Sequence, residues 1–135
     1  AVDFPGLAEE TGMRIVTPLD VYRRLAPRYR ALGVIAANAQ GLSGIEKVLL
    51  EANPALDLLG ACALPVVLAV EAGMPPEELV ERHRLVALAA WFADGGMEAL
   101  VLGCTHFPYF KEALAARTGL PLVDPAEEML RLLTQ

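Results

Sequence analysis

The run Glu98-Ala99-Leu100-Val101-Leu102-Gly103 constrains this chain more than any other segment. Its apolar residues follow one another without polar alternation, so neither face of the strand they form can meet water. That is the pattern of a central strand in a parallel sheet. Parallel neighbours need crossover connections, usually helices, and the flanking sequence supplies them on both sides. Short apolar runs alternate with helix-period stretches along the whole chain, which specifies an α/β fold with a mostly parallel sheet.

Upstream, Met13 to Thr17 reads as a short strand closed by Pro18, and Asp20 as the cap of a helix through Leu32 that contains Pro27. Gly33 is expected to end that helix, with Val34 to Ala37 as a buried strand. Ser43-Gly44-Ile45-Glu46 fits a capping box for a helix with a core stripe of Ile45, Val48 and Leu49, closed by Asn53-Pro54. Leu56 to Leu59 form the next strand, and Pro65 to Ala72 a short helix ending at Gly73. Pro75-Pro76-Glu77-Glu78 opens the longest predicted helix, which runs to about Asp94 and stops at Gly95-Gly96. A helix from Phe107 to Thr118, a strand from Leu120 to Val123 and a helix started by Asp124-Pro125-Ala126-Glu127 complete the series. The expected architecture is a three-layer αβα sandwich around a sheet of about four to five strands, with residues 1–135 as one domain. No repeat, low-complexity tract or long linker interrupts it.

The charge excludes several functions. A formal net charge of −6 disfavours nucleic acid, which rewards clustered Lys and Arg. Arg23, Arg24, Arg28 and Arg30 come nearest to a cluster, but they alternate with apolar residues and read as a solvated helix face. Pro, Gly and charges break every apolar run before it can span a bilayer. Ala1 to Glu10 lack the basic start of a secretory signal. Cys62 and Cys104 are too few for a disulfide scaffold and have no partners at zinc-ligand spacing, so a reducing cytoplasm is expected.

In parallel sheets, ligands bind where strand ends enter helices. Val101-Leu102-Gly103-Cys104-Thr105-His106-Phe107-Pro108 occupies such a junction. Gly103 permits a tight turn, Cys104 stands at the strand tip and Thr105 can cap the next helix. Unpaired N–H groups there favour negative charge on a thiol or on a substrate carboxylate. His106, two residues on, can hold or relay a proton. The bland alternative is a small buried thiol beside a locally bonded histidine.

This segment resembles the L-G-C-T-H-Y-P signature of the aspartate/glutamate racemase family, most closely its glutamate racemase branch, with Phe107 in place of Tyr. Gly60-Ala61-Cys62-Ala63-Leu64 through Val70-Glu71-Ala72-Gly73 is similar to the family's A-C-P-L…V-E-x-G stretch, with Ala63 for proline and one extra residue. Leu120 to Ala126 looks like its closing strand and V-D-S-A turn, with Pro125 for Ser.

The resemblance implies racemisation by two cysteines on opposite faces of the substrate α-carbon, without pyridoxal phosphate, metal or other cofactor. Carried over, Cys104 is one base, His106 assists it, Thr105 binds substrate and Glu71 is an active-site carboxylate. The implied ligand is a small acidic amino acid. Aspartate racemases tend to carry Glu at the place of His106, which prefers the glutamate branch. Family members are about twice as long and supply the other cysteine in an A-C-N-T-type loop, which has no counterpart here. The chain therefore reads as the second catalytic-cysteine half, with residues 1–18 resembling the tail of the first.

Cys62 is expected to pack rather than react, His83 to lie on the surface of a helix, and Trp91 and Phe92 to pack in the core or at a partner face. Gly41-Leu42-Ser43-Gly44 lacks the features of a phosphate loop. Two other readings stand beside the racemase. One is a non-catalytic relative that binds a small carboxylate or a partner chain, a homodimer included, through the face where a missing half docks. The other is a thiol-redox protein, which no C-x-x-C motif encourages.

Overall fold

The computed structural model describes residues 17–134. Four parallel strands form one sheet in the order β2-β1-β3-β4: β1 (Ala31–Ala36), β2 (Asp57–Cys62), β3 (Ala99–Leu102) and β4 (Leu122–Val123). β1 and β3 are the inner strands, and every residue of both is buried. Period-two side chains distribute them between two cores. Ile35, Leu100 and Leu102 face one side, and Leu32, Val34, Ala99 and Val101 the other.

Helices cover both faces. On the second side lie α1 (Pro18–Leu25), α2 (Ala39–Ala52) and α7 (Pro125–Leu133). On the first lie α3 (Leu64–Glu71), α4 (Pro76–Arg82), α5 (Leu85–Asp94) and α6 (Pro108–Ala115). The expected αβα layering and parallel sheet are therefore present. The strand expected over Met13 to Thr17 falls almost wholly outside the described residues.

Several boundaries differ from the sequence reading, each for a local reason. Thr17, not Asp20, caps α1: its hydroxyl accepts from Asp20 N at 3.3 Å, and Asp20 Oδ2 accepts from Thr17 N at 2.9 Å. This reciprocal box places Asp20 at the third helical position and Pro18 at the first. The helix gives way at Ala26–Arg28 to a 3₁₀ turn, because Pro27 has no N–H for the α ladder. The strand then begins at Ala31, so Gly33 is a strand residue rather than a helix stop. Its lack of a side chain is required by Phe92, whose Cδ1 would lie 2.5 Å from a Cβ there.

Asn38, directly after β1, caps α2 by accepting from Gly41 N at 2.8 Å. The Ser43 box pattern thus lies inside a helix already begun, which at 14 residues is longer than either helix of 76–94. The predicted long helix is broken at His83 and Arg84, where Arg84 takes left-handed backbone angles (φ 53°). The break lets Leu79 and Val80 of α4 be buried beside α6 while Leu85, Ala89 and Phe92 of α5 turn into the sheet core. His83 ends α4 half-buried rather than sitting mid-helix on the surface. Phe92 is fully buried, whereas Trp91 beside it is 49 % exposed.

Glu98 closes the lower edge of the sheet. Its Oε1 accepts from Arg30 N at 2.6 Å and Ala31 N at 3.0 Å, tying the start of β3 to the start of β1. These two backbone bonds, assisted by the Arg30 charge, hold its carboxyl below the ordinary range. A carboxyl depressed in the folded state stabilises above its unfolded value, about 4.3, and the contribution disappears as pH falls through the lower folded value. Glu98→Gln is therefore expected to melt below wild type at pH 7, with the difference in Tm shrinking as pH falls below the ordinary carboxylate range. Melting curves across that range check it.

Candidate functional site

At the carboxyl end of β3 the chain turns sharply around Gly103, whose N–H donates to Ile35 O of β1 at 2.8 Å. A Cβ on this glycine would lie 2.6 Å from Ile45 Cδ1 and 2.9 Å from Ile35 O. The side chain of Ile45 can rotate, but the carbonyl of a central strand cannot move alone. Gly103→Ala is expected to cost about 1–3 kcal/mol of stability and to displace the residue that follows, which is Cys104. A urea titration measures the first effect, and iodoacetamide labelling of Cys104 the second.

Cys104 is a free, partly exposed thiol. The turn after it is drawn tight by Phe107 N donating to Cys104 O at 3.0 Å. Fully buried Phe107 anchors that turn, packed against Phe110 with ring centres 5.3 Å apart. The result places His106 Nδ1 3.7 Å from Cys104 Sγ. This is within reach of proton exchange between sulfur and imidazole, with the tautomer free to suit either direction. The expected pairing of these two residues is present. Thr105 does not cap the following helix: α6 starts at Pro108 with no side-chain cap, and Thr105 is exposed. Its hydroxyl is left available to a ligand.

Cys104 and Thr105 open onto a cavity of about 360 Å³, also lined by Tyr22, Ile45, Asp124 and Met129. It lies beside the point where the strand order reverses. From β1 the chain crosses through α2 to β2, and it returns on the other face to β3. Such switch points are the standard ligand crevices of open parallel sheets. The cavity walls are mainly apolar, with a few convergent polar side chains, as in small-molecule sites generally.

Other expected residues lie elsewhere. Glu71 is exposed on the last turn of α3 and does not line this cavity. Cys62 is exposed at the end of edge strand β2, with β1 between it and β3. That corrects the expectation that it packs: among the described residues β2 is the outermost strand and its end is uncovered.

Two site residues carried no functional weight in the sequence. Asp124 was legible as the cap of α7 and as part of the stretch resembling the family's V-D-S-A turn, and it fulfils the first role by accepting from Ala126 N at 2.9 Å. It is also buried, 6 % exposed, in the cavity wall. Its position directly after β4, the neighbour of β3, was the available signal. Tyr22, likewise 6 % exposed, gave no signal beyond its helix register, and burial pushes its phenol up to about 12. Among the described residues, no cluster of His, Cys, Asp and Glu is arranged to hold a metal ion, and no helix is long and apolar enough to cross a membrane.

The fold and site together define a parallel α/β protein with a cysteine–histidine pair at its strand-order switch. Residues 17–133 match the family described as Asp/Glu/Hydantoin racemase, and the chain belongs to that family. Its relatives include the glutamate racemase of Thermus thermophilus, 36 % identical over 129 residues, a match covering 91 % of this chain and 46 % of that protein. The glutamate racemase of Limosilactobacillus reuteri is 33 % identical over 106 residues, covering 76 % of this chain and 39 % of the relative. Among solved structures, glutamate racemase from Francisella tularensis in complex with D-glutamate superposes with a TM-score of 0.69 at 24 % identity. That match covers 96 % of this chain and 50 % of the other. The chain thus spans about half the length of the relatives it matches, or less.

Proposed function

We propose that this chain carries one half-site of a cofactor-independent amino-acid racemase, with Cys104 as an acid–base group and glutamate as the first candidate substrate. The observation that carries the reading is the Cys104–His106 contact, with Cys104 in the wall of the crevice at the strand-order switch. Membership of the racemase family and the glutamate racemases among its relatives support the choice of substrate class.

The step is a proton transfer at carbon. Cys104 sulfur, as thiolate, takes the α-proton, so the C–H bond breaks, an S–H bond forms, and the electron pair spreads into the α-carboxylate. His106 holds the thiol proton between turnovers and returns it when the reaction runs backwards. Thr105 hydroxyl donates a hydrogen bond to the substrate. Glu71, given a role by the family resemblance, would act from outside the cavity. Inversion needs a second acid on the far side of the α-carbon. Among the described residues only one thiol lines the cavity, so this site supplies one of the two thiols that the family resemblance implies. A single thiolate still supports exchange of the α-proton with solvent. Free thiols of this kind suit a reducing compartment such as the cytoplasm.

Alkylation provides a test with an internal reference. Iodoacetamide is expected to modify both cysteines, and L-glutamate to slow the modification of Cys104 but not that of Cys62, which lies away from the cavity. Equal rates at Cys104 with and without saturating glutamate would remove the support for a substrate site there.

A further inference from the structure

We propose that the outer edge of β2 is a self-pairing surface, to which a second copy of this chain adds its own β2, antiparallel, about a two-fold axis at Gly60. The inference stands apart from the racemase reading and uses none of the residues that line the cavity.

Among the described residues β2 is the outermost strand on its side of the sheet, and none of its residues is buried. It holds no proline, no lysine and no charge after Asp57, and its register against β1 runs without a bulge. Those are the devices that ordinarily keep an open strand edge from pairing.

The bonds to β1 show which groups are free. Asp57 N donates to Arg30 O at 2.9 Å, and Ala63 N to Ala36 O at 2.8 Å. Backbone direction alternates along a strand, so the odd-numbered residues between them also face β1. Leu58, Gly60 and Cys62 therefore turn their N–H and C=O groups outward. These positions are symmetric about Gly60, which selects a second copy as the occupant: an isologous interface must be complementary to itself. Antiparallel pairing joins Gly60 to Gly60, and Leu58 to Cys62 of the second copy, as hydrogen-bonded pairs. Every outward group of the strand is then engaged, whereas any shifted register leaves one end unpaired.

The side chains suit the same register, in which opposed residues share a face. On the side of the first core, Leu59 meets Ala61 of the second copy. The exposed indole of Trp91 borders Leu59 there, in one surface depression. Asp57, the one charge of the strand, falls opposite Ala63, so no like charges face each other across the pair.

Sedimentation velocity over a concentration series tests the pairing. The ladder is short, six residues, so wild type is expected to dimerise with a Kd of about 10–100 μM. Cys62→Pro removes one outward N–H from each copy at the exposed end of an edge strand, where proline is tolerated. It is expected to weaken the dimer about 10- to 100-fold without changing the Tm of the dilute chain. Leu58→Cys reads the register. On air oxidation it is expected to bond to Cys62 of the second copy, because hydrogen-bonded pairs hold their Cα atoms about 5.5 Å apart. Within one strand these two positions are about 13 Å apart, too far to bond. Peptide mass mapping identifies the linkage, and it decides alone should Cys62→Pro fail to fold. Wild type that stays monomeric at about 1 mM would overturn the proposal and leave the edge to a different chain. So would a dimer that yields no 58–62 bond, or one that a well-folded Cys62→Pro leaves unchanged.

Discussion

Replacing Cys104 by alanine is expected to lower the rate of α-proton exchange by about 10²- to 10⁴-fold, the usual contribution of a positioned acid–base group. Among the described residues lining the cavity Cys104 carries the one thiol, and its sulfur pairs with His106 Nδ1. Binding should survive, because the hydroxyl of Thr105 and the other cavity walls are untouched. Cys104 is only partly buried at the edge of the core, so the stability cost should be about 1 kcal/mol or less. Activity lost without affinity or stability is the signature of a group used in the transition state alone. A parallel His106→Ala should leave a smaller residual defect that shifts with pH, since the thiol remains but its proton partner is gone.

The largest effect on stability is expected at Phe92. Its ring is fully buried and lies against the place where Gly33 has no side chain. Phe92→Ala removes the ring from the centre of the first core and leaves a void that the rigid inner strands cannot close. A loss of about 3–5 kcal/mol is expected, a large share of the roughly 5–15 kcal/mol available to a domain. Chemical denaturation measures it. Because the glycine and the ring fill one space, Gly33→Ala should be clearly destabilising in wild type and much less so beside Phe92→Ala. That non-additivity is what residues sharing one volume produce.

How much of this was legible in sequence depends on what each element answers to. β3 was plain because a strand buried on both faces has no freedom to alternate, and Ala99–Leu102 does not. The start of α7 was equally plain, since Asp124, Pro125 and Glu127 carry the local chemistry of a helix N-terminus in one stretch. Elements set by distant contacts were read poorly. Gly33 looked like a helix stop because its reason, Phe92, lies far along the chain. The break at Arg84 has no glycine or proline to announce it, and arises from burying two helices against different neighbours.

The site divides in the same way. Cys104, Thr105 and His106 sit in one short run, and their junction with β3 could be read directly. Asp124 and Tyr22 reach the cavity through the sheet order and the packing of α1, which the sequence does not display. Cys62 was misjudged because exposure at a sheet edge depends on which strand lies outermost.

The central claim is that Cys104 abstracts a proton from the α-carbon of an acidic amino acid. Proton NMR of L-glutamate with this chain in deuterated water tests it most directly. The α-proton signal is expected to decay with wild type and to persist with Cys104→Ala. A signal that persists with well-folded wild-type chain, or one that decays equally with the variant, would contradict the account.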